Sequence, residues 1–186
     1  MRIITGRAKG LRLKTPAGLS TRPTADRVKE SLFSILGGLI NFQEIKSVLD
    51  IFAGTGALGL EAMSRGANSA IFIDNATAEI IQENISRTKF EGCRVLRGDF
   101  GKILLKLAKQ NLAFDLIFSD PPYAKGLAQK SLEVVAEKNL LVEGGLMIIE
   151  HGAEEILDAP TNFQLVRKII YGHTTAIEIF IREKVI

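Results

Sequence analysis

The sequence predicts an α/β protein built on a mostly parallel β-sheet, and three observations predict it. From Ser47 onward, short apolar runs alternate with segments of helical periodicity. A glycine loop, Gly54-Thr-Gly56-Ala-Leu-Gly59, follows the first of those runs. The last stretch of the chain changes character and reads as two strands joined by a tight turn.

Taken in order, Arg2 to Thr5 and Leu11 to Thr15 flank the basic segment Gly6-Arg-Ala-Lys-Gly10 and read as a β-hairpin. Pro16, Gly18 and Pro23 interrupt the pattern before Thr24, which can cap a helix to about Leu39 with Val28, Leu32, Phe33, Ile35 and Leu36 on its apolar side. The next strands are expected at Ser47 to Phe52, Ser69 to Asp74, Arg94 to Arg97, Phe114 to Ser119 and Leu146 to Glu150. Helices are expected to begin near Ala57, Thr77, Phe100 and Gly126. Strands alternating with helices of this length form right-handed βαβ units, with helices on both faces of the sheet. Gln164 to Ile170 and Thr174 to Arg182, joined by Tyr171-Gly-His-Thr, close the sheet as an antiparallel hairpin.

Composition narrows the function classes. At 186 residues and 46% hydrophobic, the chain can bury one core and is short for two ordinary domains, so 1–186 is read as a single domain. No apolar run reaches membrane-spanning length and the start lacks a signal-peptide stretch, which gives a cytoplasmic protein with no membrane partner as the expectation. Cys93 is the sole cysteine, read as a core thiol, and with two distant histidines, His151 and His173, it makes a poor zinc set; no metal is expected. Residues 1–30 hold eight basic and two acidic side chains, a balance of +6 in a chain whose total is +3, so residues 31–186 carry −3. A polyanion would be drawn to the N-terminal end.

Ligands of open α/β sheets lie beyond the carboxyl ends of the strands. Four acids occur there at intervals of about one βα unit: Asp50, Asp74, Asp99 and Asp120. Gly54-x-Gly56-x-x-Gly59 followed by Asp74 also fits a dinucleotide fingerprint. Against that reading, Asp50 before the loop would repel a pyrophosphate but suits an ammonium, and Asp99 adds an acceptor. S-adenosylmethionine carries an ammonium, a ribose diol and an adenine amine, each satisfied by an acceptor. The second motif is Asp120-Pro-Pro-Tyr123 after an apolar strand. A base's amino nitrogen is a poor nucleophile, because its lone pair is delocalised into the ring. The Asp120 carboxylate and the Pro121 carbonyl can accept its N–H groups, Pro121 and Pro122 fix the turn and bring no competing N–H, and Tyr123 can stack on the base.

Beyond these motifs, the chain resembles the RsmD family, the 16S ribosomal RNA guanine-N2 methyltransferases. The resemblance covers Arg2-Ile-Ile-Thr-Gly-Arg-Ala-Lys-Gly-Leu-Arg-Leu, Thr21-Arg-Pro-Thr-Ala-Asp-Arg-Val-Lys-Glu-Ser-Leu-Phe-Ser-Ile-Leu36, Leu49-Asp-Ile-Phe-Ala-Gly-Thr-Gly-Ala-Leu-Gly-Leu-Glu-Ala62 and Asp120-Pro-Pro-Tyr123. The glycine loop and the Asp-Pro-Pro-Tyr turn are widespread among amino-methyltransferases; the Arg-Pro-Thr segment in combination with them is more specific. The resemblance implies a Rossmann-like class I methyltransferase fold, seven strands in the order 3-2-1-4-5-7-6, with an N-terminal β-hairpin extension (1–23) for RNA and a catalytic core (24–186). It implies S-adenosylmethionine as cofactor, with Asp50, Phe52 and the loop Ala53, Gly54, Thr55 and Gly56 at the methionine end. Asp74 and Asn75 would meet the ribose, and Asp99 and Phe100 the adenine. Family members often carry Glu at the place of Asp74 and a small residue at that of Phe100.

The implied substrate is a guanine in small-subunit RNA, methylated on N2 during ribosome assembly, and held by Asp120, Pro121, Pro122 and Tyr123. N2 is paired inside a duplex, so the base must lie in a loop or be flipped out. Arg2, Arg7, Lys9, Arg12, Arg22, Arg27 and Lys29 are the candidates for gripping phosphates, and a monomer is expected. Two other readings share the motifs. A DNA adenine or cytosine amino-methyltransferase usually brings a separate recognition domain, for which 186 residues leave little space. A non-catalytic RNA-binding assembly factor would retain a cofactor-like pocket.

Overall fold

The structure, a computed structural model, describes residues 1–16, 23–123 and 125–184, the side chains of 23–25 excepted. Its helices are α1 (Pro23–Leu39), α2 (Ala57–Arg65), α3 (Ala78–Thr88), α4 (Phe100–Lys109) and α5 (Leu127–Glu137). Its strands are β1 (Val48–Ile51), β2 (Ala70–Asp74), β3 (Cys93–Arg97), β4 (Phe114–Ser119), β5 (Leu141–Gly152), β6 (Phe163–Tyr171) and β7 (Thr175–Arg182). They form one seven-stranded sheet in the order β3-β2-β1-β4-β5-β7-β6, the order that the resemblance implied. β1 with β2, β2 with β3 and β4 with β5 pair in parallel; β7 runs antiparallel to both β5 and β6. The chain divides into two compact units, Met1–Arg97 and Gly98–Ile186.

In the first unit β1 is buried along its whole length, as expected for a central parallel strand. α2 is buried on almost every side, including Glu61 and Ser64. The N-terminal segment explains this, because its backbone bonds onto the helix. The amides of Ile4 and Thr5 donate to Glu61 at 2.8 and 3.0 Å, Arg7 N–H donates to the Ser64 carbonyl at 2.8 Å, and Ala8 N–H to Ser64 Oγ at 3.0 Å. Gly6 lies so close that a Cβ there would come within 1.9 Å of the Ser64 carbonyl oxygen.

The expected N-terminal hairpin forms, with a short ladder. Residues 1–13 reverse direction, with Ile3 N–H bonded to the Leu11 carbonyl and Leu13 N–H to that of Met1, and an isolated bridge, Arg2 to Arg12, is formed. The next amides, of Ile4 and Thr5, bond to Glu61 of α2. Gly18 and Arg22 lie outside the described residues, as does the side chain of Thr24, so the expected cap is not described; α1 opens with Pro23, a residue suited to a first helical position.

In the second unit α5 buries Ala128, Ser131, Leu132 and Val135, a helical stripe of spacing three and four. α4 does the same with Phe100, Leu104 and Leu107. β5 begins at Leu141, five residues before its expected start, and its register against β4 shifts between Phe114 and Leu116. β7 is buried from Ala176 to Phe180, whereas the edge strand β6 is largely exposed.

Candidate functional site

In the first unit the site is built around the turn from β1 to α2. Asp50, on β1, is buried, and its Oδ2 accepts from Gly59 N–H at 2.9 Å. That short approach needs a glycine, since a Cβ on Gly59 would meet a Phe72 ring carbon at 2.4 Å. Burial pushes the Asp50 carboxyl up to about 7, against the lowering effect of the Gly59 bond, and the neighbouring Asp74 charge adds to the rise. Among the described residues no lysine or arginine pairs with it.

Phe52 follows at φ 59°, a left-handed conformation that costs a non-glycine residue about 1–3 kcal/mol and survives only where the surroundings impose it. Strain of this kind gathers at binding loops. Ala53 is buried, and among the described residues a Cβ added at Gly54 would meet nothing within 4 Å. The Thr55 carbonyl accepts from Asn84 Nδ2 at 2.9 Å, and Gly56 takes φ 77° ahead of α2. Asp74 ties the loop down, with Oδ2 accepting from Gly54 N–H at 2.9 Å and Oδ1 from Ala76 and Thr77 at 2.8 and 2.9 Å. Burial alone would raise its carboxyl, but these bonds outweigh it and hold the group below the usual range. Asn75 is exposed beside it.

These residues fit a cationic, hydroxyl-bearing ligand. Among the described residues Asp50 is a buried carboxylate with no cation paired to it, and backbone amides take three of the roughly four lone-pair positions of Asp74. In the structure Asp74 braces the glycine loop.

In the second unit Asp99 caps α4, with Oδ1 accepting from Lys102 N–H at 3.0 Å, and Phe100 is buried with Lys130 Nζ 5.9 Å from its ring centre. The Asp-Pro-Pro-Tyr turn follows β4. Asp120 and Pro122 are exposed and Pro121 is buried. Tyr123 is 37% exposed while its hydroxyl is tied down, donating to Glu150 Oε1 at 2.5 Å and lying 3.1 Å from Thr175 Oγ1.

Of the basic candidates, Arg2, Lys9, Arg12 and Arg27 are exposed, Arg2 lying 3.8 Å from Asp26. Arg7 is exposed with its guanidinium 5.1 Å from the centre of the Phe90 ring and one nitrogen bonded to the Met63 carbonyl. Arg22 lies outside the described residues. Lys29 is a correction. Its ammonium is buried, 3.2 Å from Glu61 Oε2 and bonded to the Arg2 carbonyl, so it holds the N-terminal segment rather than meeting a phosphate. Burial pulls it below the ordinary lysine value, with Glu61 opposing.

Four residues that motif reading missed support the site. Glu61 gathers Lys29 and Arg65 with the Ile4 and Thr5 amides; the signal was a carboxylate in an apolar helix with Arg65 four residues on. Asn84 bridges the glycine loop to both backbone groups of Lys14. Glu150 and Thr175 depend on strand register, which a sequence does not display.

Comparison with known proteins places this geometry in company. The family model described as conserved hypothetical protein 95 matches residues 1–180. The Escherichia coli (strain K12) protein named ribosomal RNA small subunit methyltransferase D is 34% identical over 175 residues, covering 92% of this chain and 85% of the relative. YlbH of Bacillus subtilis (strain 168), a suggested rRNA methyltransferase, is 37% identical over 178 residues, covering 94% and 95%. Among solved structures, the Escherichia coli protein yhhF, a suggested methyltransferase, superposes with a TM-score of 0.83 at 32% identity, covering 98% of each chain.

Proposed function

Because the chain belongs to the RsmD family, we propose that it transfers a methyl group from S-adenosylmethionine to the exocyclic N2 amine of a guanine in 16S ribosomal RNA, during assembly of the small subunit. The observation that carries this reading is the turn after β4: an exposed carboxylate, two prolines and an aromatic ring anchored through its hydroxyl. The 186 residues act in this reading as one methyltransferase domain.

When bound, S-adenosylmethionine supplies a methyl group made electrophilic by a positively charged sulfur. Asp50 answers the ligand's ammonium and Asp74 its ribose hydroxyls, while Asp99 offers an acceptor to the adenine amine. Asp120 and the Pro121 carbonyl accept the N–H groups of the target amine, so that its lone pair is aimed and positive charge developing on nitrogen is stabilised. The prolines add no competing donor. Tyr123 stacks on the base, a contact worth about 1–3 kcal/mol. No strong base is required, because the methylated ammonium readily gives a proton to water.

Transfer of radiolabelled methyl groups into small subunits lacking the modification, into naked ribosomal RNA and into DNA tests the reading. Label on a guanine amine of the RNA is the expected result. Label in DNA alone, or none anywhere despite tight RNA binding, would contradict it and point to a DNA enzyme or to a non-catalytic assembly factor.

A further inference from the structure

The ring assigned to the target base is held by two strands outside the Asp-Pro-Pro-Tyr motif. Glu150 lies near the end of β5 and Thr175 opens β7. In the antiparallel register Glu150 faces Ile177 and Gly152 faces Thr175, so Thr175 is two residues from the position opposite Glu150 and projects from the same face of the sheet. Diagonal neighbours of this kind lie close enough to share one partner. That partner is the Tyr123 hydroxyl, 2.5 Å from Glu150 Oε1 and 3.1 Å from Thr175 Oγ1. A phenol has one proton to donate and lone pairs to accept with. Donation to the carboxylate uses the proton, and the threonine hydroxyl can then donate to the phenol oxygen.

A ring attached by its side-chain bonds alone can swing. One tied at its far end by bonds from two strands presents a fixed face. We propose that Glu150 and Thr175 are positioning residues for base recognition: they lock the Tyr123 ring so that one face is ready to stack on the target base, and they do not themselves touch the reacting atoms. This rests on the reading of Tyr123 as the base-stacking residue. The preorganised ring removes an ordering cost that a mobile one would incur on binding.

The chain contains two tyrosines and no tryptophan, so a Tyr171→Phe background makes Tyr123 the sole tyrosine and its spectrum readable. A phenol donating to a carboxylate absorbs and emits further to the red than a hydrated one. In that background Glu150→Ala is expected to shift the Tyr123 spectrum to the blue at neutral pH, and Glu150→Gln, which keeps an acceptor oxygen, to shift it less. The phenol is held above its ordinary value first by burial, then by the Glu150 bond and by the charges of Glu150 and Asp120, with the Thr175 bond opposing. Glu150→Ala therefore brings phenol ionisation to lower pH, and Thr175→Val moves it the other way.

In methyl transfer to RNA, Glu150→Ala and Tyr123→Phe are each expected to raise KM for RNA about tenfold with a smaller loss in kcat, while cofactor affinity stays unchanged. Their combination is expected to lose no more than either alone, since both remove one interaction. Glu150→Gln restores most of the loss. An unshifted Tyr123 spectrum, independent additive losses, or a shifted spectrum with unchanged KM would overturn the positioning role. Absence of methyl transfer by the parent protein to any nucleic acid would instead overturn the functional reading beneath it.

Discussion

Asp50 and Asp120 are both aspartates at the ends of parallel strands, and their surroundings set them apart. Asp50 is buried with its carboxyl raised to about 7 from an ordinary 3.8. A group raised on folding stabilises the fold at low pH, and that contribution is lost as pH rises through 7. A cationic ligand reverses the balance, because it favours the ionised carboxylate. Cofactor affinity is therefore expected to weaken as pH falls from about 7 to 6, approaching tenfold per unit at the limit, while the ligand's amine, of ordinary pKa about 8, stays charged. Titration calorimetry across that range checks it, and Asp50→Asn should flatten the dependence. Asp120 is exposed, in keeping with a group that meets a substrate. Asp120→Ala is expected to abolish turnover while leaving the cofactor dissociation constant within a few-fold, measured by single-turnover kinetics and equilibrium binding. Both aspartates were legible from their places before the glycine loop and in the Asp-Pro-Pro-Tyr turn. The bracing of the glycine loop by Asp74 was not, because its bonds to the Gly54, Ala76 and Thr77 amides arise only when the loop has folded.

At the scale of elements, α2 joins the glycine loop to the N-terminal segment. Glu61, wholly buried, accepts from the Ile4 and Thr5 amides and pairs with Lys29 and Arg65. Removing one partner of a buried ion pair leaves the other charge uncompensated, at a cost of about 3–5 kcal/mol. Glu61→Ala should therefore lower unfolding free energy by that order in urea titrations and loosen residues 1–13, read as faster amide exchange. The alternation of apolar runs and helical periods located every strand and helix of the sheet to within a few residues, with the exception of the start of β5. There the Gly144-Gly145 pair, with Gly144 at φ 76°, looks like a loop, yet both lie within the strand. The bonds of the N-terminal hairpin to α2 were hidden for a related reason. Alternating residues predict extended chain, and they cannot tell that the amides of Ile4 and Thr5, and those of Arg7 and Ala8 in the loop, bond to α2.

For the molecule as a whole, charge asymmetry is the feature that bears on RNA. Residues 1–30 carry +6 and the remainder −3. Arg7, Lys9 and Arg12 are exposed on the docked segment, whereas Lys29 is internal. Replacing those three with Ala is expected to weaken RNA binding and to flatten its dependence on salt, by about 0.7 in logarithmic slope for each single-strand phosphate no longer neutralised. Filter binding at several salt concentrations measures the slope; Lys29→Ala should affect stability more than slope. The central claim, that a guanine amine in 16S ribosomal RNA receives the methyl group, is tested most directly by mapping N2-methylguanosine at nucleotide resolution in cells with and without the gene. One guanine is expected to lose its methyl group on deletion and to regain it with the wild-type chain but not with Asp120→Ala. An unchanged methylation pattern at every guanine after deletion would contradict the account.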